Sequence, residues 1–389
     1  MRLTSAAWER AAEVREAAQG WLRVGAIDEP TGHAIREAFP DPCVTPSAVW
    51  RVLTACVVAA VILCAFWAFS IWFRLGGEIG GQVFLFLFAG ASLASADLLE
   101  ASPRFARRGA AGVASFLGVG FLLAGFGLFP LMTMMMRFDA ILIASVLAWA
   151  AGCWRWGSPL FAALSALSLF LFLGRLSYGR VLWVLVGAAL AGVAARRLDE
   201  DSWAPSHRRA AAVLVVAGIV AAYAAVNVYS FEVGLLEYLG IGARRIVPSR
   251  GLVVLSAFAT AVVPPVVVVW GARSRRTFLL DTGIVLLALS LVTLRHYVHI
   301  APLWAMLILS GATLVILALT VERALRRAPA GDIGGFTADP LFSDERKLHA
   351  LQVVPVVATF TAAPGAAAQE KDFAGGGGKF GGGGAGEKF

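Results

Sequence analysis

Long apolar runs broken by short polar connections fill the chain between Val49 and Val321. Ten segments stand out: Val49–Phe73, Gln82–Leu99, Ala110–Pro130, Ala140–Trp154, Pro159–Gly174, Val181–Ala195, Ala210–Val228, Leu252–Trp270, Phe278–Leu294 and Pro302–Val321. An apolar helix needs about 20 residues to cross the roughly 30 Å hydrocarbon layer of a bilayer. The fourth, fifth and sixth segments fall short of that length. The fifth and sixth also read as a tilted or re-entrant hairpin, which would leave the parity of the topology unchanged. The pattern predicts an all-α fold, a polytopic transmembrane helical bundle of about ten spans.

The flanks have a different texture. Residues 1–48 read as a small helical head. "SAAWERAAEVREAAQGWL" spaces Trp8, Ala11, Ala12, Val14 and Trp21 among charges, an imperfect amphipathic helix. Gly25 interrupts it, and "AIDEPTGHAIREAF" starts a second helix with Asp28 as N-cap and Pro30 in the first turn. Pro40, Pro42 and Pro46 form the linker to the first span, and 49–321 is the bundle. Residues 322–372 return to a polar, partly helical segment with a glycine-rich bend at Gly331–Gly335. Residues 373–389, "FAGGGGKFGGGGAGEKF", are too poor in buriable surface to fold alone and read as a disordered tail.

Composition agrees with the pattern. Hydrophobic residues make up 59% of the chain and charged residues 15%, with a mean hydropathy of +0.77; a soluble globular chain is about half apolar and a quarter charged. The net charge of +8 belongs to loops facing a bilayer, and no nucleic-acid partner is expected. With the N-terminus inside and the spans alternating, all but eight of the 33 Lys and Arg residues fall on the inner side. That asymmetry predicts both termini in the cytoplasm. The polar first forty residues predict no cleavable signal peptide. Arginine in excess of lysine, with abundant alanine, points to a GC-rich bacterial genome and hence to the bacterial inner membrane. The four cysteines lack CxxC spacing, so neither a disulfide framework nor a zinc site is expected.

Ionisable or helix-breaking residues inside spans are the natural candidates for a site. Asp97 and Asp281 are carboxylates near span ends, read either as a proton- or cation-binding pair or as interfacial groups paired with arginines such as Arg104 or Arg276. Pro264 and Pro265 sit mid-span, remove two backbone donors, and predict a kinked or unwound helix at a membrane-core site. His296 and His299, with Met132, Met134, Met135 and Met136, have the chemistry of a Cu(I) site. Nothing in the sequence joins the two loops, so no metal is expected. The loop Ser230–Arg250 predicts an amphipathic interfacial helix. Gly118, Gly125, Ala188 and Gly192 are expected to permit close helix packing. No HExxH, GxSxG or Walker A pattern is present, so the chain is expected to be non-enzymatic and without cofactors.

"WLRVGAIDEPTGHAIREAFP" in the head, the ten spans, "GGFTADPLFSDERKLHALQ" and the closing "FAGGGGKFGGGGAGEKF" together resemble a group of uncharacterised bacterial polytopic inner-membrane proteins. The closing pattern is also similar to tails on membrane-anchored TPM-domain proteins. Neither resemblance implies catalytic residues. Bottom-up, the tail reads as a docking peptide: glycine leaves the backbone accessible, and Phe373, Phe380 and Phe389 supply apolar anchors for a protein partner. The leading expectation is a protein that recruits a partner through its head and tail. The alternative is a small-solute or ion transporter built from two five-helix halves.

Overall fold

The computed structural model describes residues 6–23, 27–40, 47–72, 78–102, 109–127, 134–176, 178–198, 200, 203–227, 250–274 and 276–298. Beyond these it describes isolated helical positions between 308 and 327, and residues 332–333 and 336–337. The chain divides into two units, Met1–Leu307 and Ile308–Phe389.

In the first unit the head forms α1 (Ala6–Arg23) and α2 (Glu29–Ala38). Asp28 caps α2 as its side chain requires: Oδ1 accepts the Thr31 N–H at 3.2 Å, and a proline occupies the first turn. Nine further helices follow among the described residues. They are α3 (Ala48–Trp72), α4 (Glu78–Ala101), α5 (Ala110–Gly127), α6 (Met134–Trp156), α7 (Pro159–Gly174), α8 (Gly179–Leu198), α9 (Pro205–Val226), α10 (Arg250–Arg273) and α11 (Thr277–Val298). Seven of these, α3 to α6 and α8 to α10, contain stretches long and apolar enough to cross a membrane. The chain is a helical, multi-pass membrane protein by that measure. The 16-residue α7 and the apolar part of α11, Thr277–Thr293, are shorter.

Two of the three segments that look short are full-length helices. α6 has 23 residues because it begins at Met134, before the polar Asp139, and α8 has 20 because it continues through Arg196 and Arg197. Asp139 pairs with Arg175 beyond the end of α7, and Arg175 also lies 5.0 Å from the Phe138 ring centroid. The apolar run is therefore shorter than the helix that carries it. Of the tenth segment only scattered positions are described, all helical, in the second unit. That unit also holds β1 (Asp332–Ile333) and β2 (Phe336–Thr337), which pair antiparallel. They are the only β structure among the described residues.

Consecutive helices pack as hairpins, most closely α4 with α5, α6 with α7, α8 with α9 and α10 with α11. α9 ties them together, touching α1, α6, α7, α8, α10 and α11. Its contact with α8 is backbone to backbone. A Cβ on Gly187 would stand 2.6 Å from the Gly218 carbonyl oxygen, and one on Gly218 would stand 2.5 Å from that of Gly187. Around this contact Val215, Ile219 and Tyr223 pack with Val267, Leu279 and Leu286 of α10 and α11. On its other flank Phe170, Trp183 and Ala221 join α7, α8 and α9, and the Trp183 Nε1–H donates to the Phe170 carbonyl at 2.6 Å. α3 is the exception, since none of its span is buried in the protein. It leans on α4 and α5 through Phe66, whose ring lies 5.4 Å from those of Phe84 and Phe88 and 4.9 Å from that of Phe121.

Two outcomes are expected. Gly218→Ala should destabilise the bundle by about 1–3 kcal/mol through overpacking, while Gly192→Ala, with nothing within 4 Å, should be near neutral; thermal unfolding of the detergent-solubilised chain checks both. Hydrogen bonds from Thr31, its side chain first and its backbone N–H next, hold the Asp28 carboxyl below its ordinary value. A depressed folded-state value means the cap stabilises α2 at neutral pH and is lost as pH falls through that value. Acid should therefore fray α2, and Asp28→Asn, which caps without titrating, should abolish that acid dependence in amide chemical shifts.

Candidate functional site

The sequence predicts a kinked or unwound helix at Pro264 and Pro265; α10 is helical without interruption through both, so it is not unwound there. Pro264 is fully buried, whereas Pro265 is exposed. A proline has no N–H for the carbonyl four residues earlier, which for Pro264 is that of Thr260. The missing donor comes from the next helix: Ser290 Oγ of α11 donates to the Thr260 carbonyl at 2.7 Å. A neighbouring hydroxyl re-satisfying a proline-freed carbonyl is what an intact helix in a dry interior requires.

Further polar groups line the same three helices. Thr260 Oγ1 donates to the Ser256 carbonyl at 2.8 Å, and Ser256 Oγ donates to the Val226 carbonyl at the end of α9. One turn away, Asn227 Nδ2 donates to Tyr223 Oη at 3.0 Å and to Thr293 Oγ1 at 3.3 Å. Thr293 in turn donates to the Leu289 carbonyl at 2.9 Å. Ser256, Thr260, Ser290, Thr293, Tyr223 and Asn227 are all buried. The result is a seam of hydroxyls and one amide between α9, α10 and α11.

The two carboxylates are not partners. Asp97 of α4 accepts from Arg155 Nη2 at 3.0 Å and from Trp156 Nε1 at 3.2 Å, fastening α4 to the end of α6. Among the described residues its arginine partner is Arg155, and Arg104 lies outside them. Asp281 belongs to α11, which packs on α9 and α10, and its side chain is exposed. Phe373, Phe380 and Phe389 lie outside the described residues, as do Met132, His299, the loop 228–249 and the side chains of Met134, Met135, Met136 and His296. Among the described residues no group of three His, Cys, Asp or Glu side chains could hold a metal ion.

A second polar region was not anticipated. Glu9 of α1 accepts the Ser206 N–H at 3.0 Å, and Glu13 accepts from Arg208 Nη2 at 2.9 Å. The N-cap residue of α9, Ala204, has no side chain able to cap. Glu9 supplies that cap from another helix, with its charge against the positive end of the helix dipole. Nearby, His207 Nε2 lies 2.9 Å from the Trp154 carbonyl and Nδ1 lies 3.4 Å from Ser206 Oγ. A carbonyl only accepts, so Nε2 carries the hydrogen. Trp203 meets Trp154 edge to face at 6.1 Å, with the Arg197 guanidinium 5.3 Å from the Trp203 ring. Such Trp–Arg clusters mark a membrane–water boundary.

The missing donor at Thr260 was computable from the position of Pro264, but Ser290 as its donor was not. Glu9 carried no signal at all, because its partner is 197 residues away. No protein-family model, no curated protein and no solved structure matches the chain.

Ser290→Ala should cost about 1–3 kcal/mol, the penalty for an unpaired buried carbonyl. Pro264→Ala restores the N–H, so in that background the same serine change should cost much less. A double-mutant cycle read by thermal unfolding in detergent measures the difference; equal costs in both backgrounds would show that Ser290 does not compensate the proline.

Proposed function

We propose that this chain is a non-enzymatic protein of the bacterial inner membrane, with both termini cytoplasmic, that recruits a protein partner through its head and its glycine–phenylalanine tail. The observation that carries this reading is the held head. Glu9 and Glu13 attach α1 to the first turn of α9, while Trp21 and Phe39 remain 45% and 42% exposed. Two large exposed rings on a small polar domain are the usual anchors of a protein contact. The orientation is supported by Arg51, Arg155, Arg196, Arg197, Arg208 and Arg209, which sit on helix ends at the side of the bundle where the head docks.

The transporter alternative draws on the seam between α9, α10 and α11. Two observations weigh against it. The hydroxyls of Thr260, Ser290 and Thr293 in that seam all donate to backbone carbonyls. The halves also pair their helices differently. The first two spans, α3 and α4, are joined through the Phe66, Phe84 and Phe88 rings, whereas α8 and α9, their counterparts five spans on, meet at glycine.

Co-purification from the native membrane tests the proposal with three chains: the full sequence, a version ending at Asp372, and Trp21→Ala/Phe39→Ala. A protein recovered with the first and depleted with either variant is the expected result. The same set of proteins recovered from all three would reject it.

A further inference from the structure

Between the head and the end of the bundle lies a cleft of about 580 Å3, within the ~300–1,000 Å3 range of small-molecule sites. Its two walls differ in charge, although Glu100, a buried carboxylate of α4 that is engaged elsewhere, also lies on the bundle side. The bundle wall presents Arg51 at the start of α3 and Arg209 in the first turns of α9. It also presents the N-terminal backbone of three helices: α5 beside Gly109, α7 at Ser158 and Pro159, and α9 at Pro205 and Ser206. Gly109 and Gly157, both in the lining, adopt φ of +78° and +60°. A Cβ on Gly157 would stand 2.6 Å from Ser206 Oγ, so glycine is needed for α6 and α9 to close the floor. The head wall presents Glu9, Glu13 and Glu16.

These charges are unequally engaged. Glu9 is held by the Ser206 N–H and Glu13 by Arg208. Arg51, Arg209 and Glu16 are exposed and have no hydrogen-bond or ion-pair partner among the described residues. Two guanidiniums without a partner among the described residues stand beside the N-termini of α5 and α7. They are suited to a phosphate, which arginine can grip with paired donors, while the α9 terminus is already capped by Glu9. A free carboxylate on the facing wall is suited to an ammonium. The Trp154–Trp203–Arg197 cluster at the same end puts the cleft at the depth of lipid headgroups.

We propose that this cleft binds a phosphoethanolamine group, its phosphate on Arg51 and Arg209 and its ammonium on Glu16. A phospholipid headgroup and a free phosphoethanolamine share that chemistry. Calorimetric titration of the detergent-solubilised full chain separates them, with dihexanoylphosphatidylethanolamine in one arm and O-phosphoethanolamine in the other. Dihexanoylphosphatidylglycerol serves as the probe lacking an amine. Saturable binding in the first arm alone identifies a lipid site, and binding in the second identifies a soluble ligand. In either case Arg51→Gln/Arg209→Gln should weaken binding at least tenfold. Arg51→Lys/Arg209→Lys should retain part of it, and Glu16→Gln should remove the preference over the phosphatidylglycerol probe. Unchanged thermal unfolding of the variants separates lost binding from lost folding. The proposal is overturned if neither amine probe saturates, if phosphatidylglycerol binds the unaltered chain equally well, or if the glutamine double variant binds as the parent does.

Discussion

The approach of α8 and α9 at Gly187 and Gly218 is the constraint on which the rest of the bundle depends. Lipid tails are as apolar as leucine, so helices in a membrane gain little from hydrophobic burial against one another and associate through close packing and polar contacts. Two glycines facing across one interface remove the side chains that would hold the backbones apart. α9 is thereby fixed, and its remaining surface is divided among α6, α7, α10, α11 and the head. Gly271 repeats the device between α10 and α11, where a Cβ would stand 2.6 Å from the Leu280 nitrogen. α3, which has no such contact, is the least embedded span.

Polar groups in this interior are managed by exchange between helices. Pro264 withdraws a donor from α10 and Ser290 of α11 returns one; α9 lacks a capping side chain and Glu9 of α1 provides it. Each exchange joins two elements that the backbone alone would leave independent. Asp97 follows the same logic, since a carboxylate in an apolar span is tolerable when Arg155 and Trp156 both donate to it. Such contacts set the relative rotation and height of helices, which apolar packing specifies poorly.

Hydropathy made the described spans legible because a bilayer imposes one length and one polarity on everything that crosses it. It misjudged where helices end, because Asp139 lowers the apolar score of α6 while its pairing with Arg175 keeps it inside the helix. Small residues were harder to read. Gly118 and Gly125 do lie against Leu93 and Phe86, but Ala188 and Gly192 are exposed, and the contact belongs to Gly187. Neighbouring residues on a helix point about 100° apart, so composition locates the segment and only packing locates the face. The seam and the head contact were invisible for a related reason: their partners are 30 and 197 residues apart, and sequence spacing says nothing about such pairs.

The bond between Glu9 and Ser206 also orders events in time. The head leaves the ribosome before the spans, yet the backbone N–H that receives it is made 197 residues later. At synthesis rates of ~5–20 residues per second, the head waits on the order of ten to forty seconds for its place on α9. By then the residues of α3 to α8 have all been made. Docking of the head is thus a late step, and an attached head certifies that the chain as far as the start of α9 has been translated.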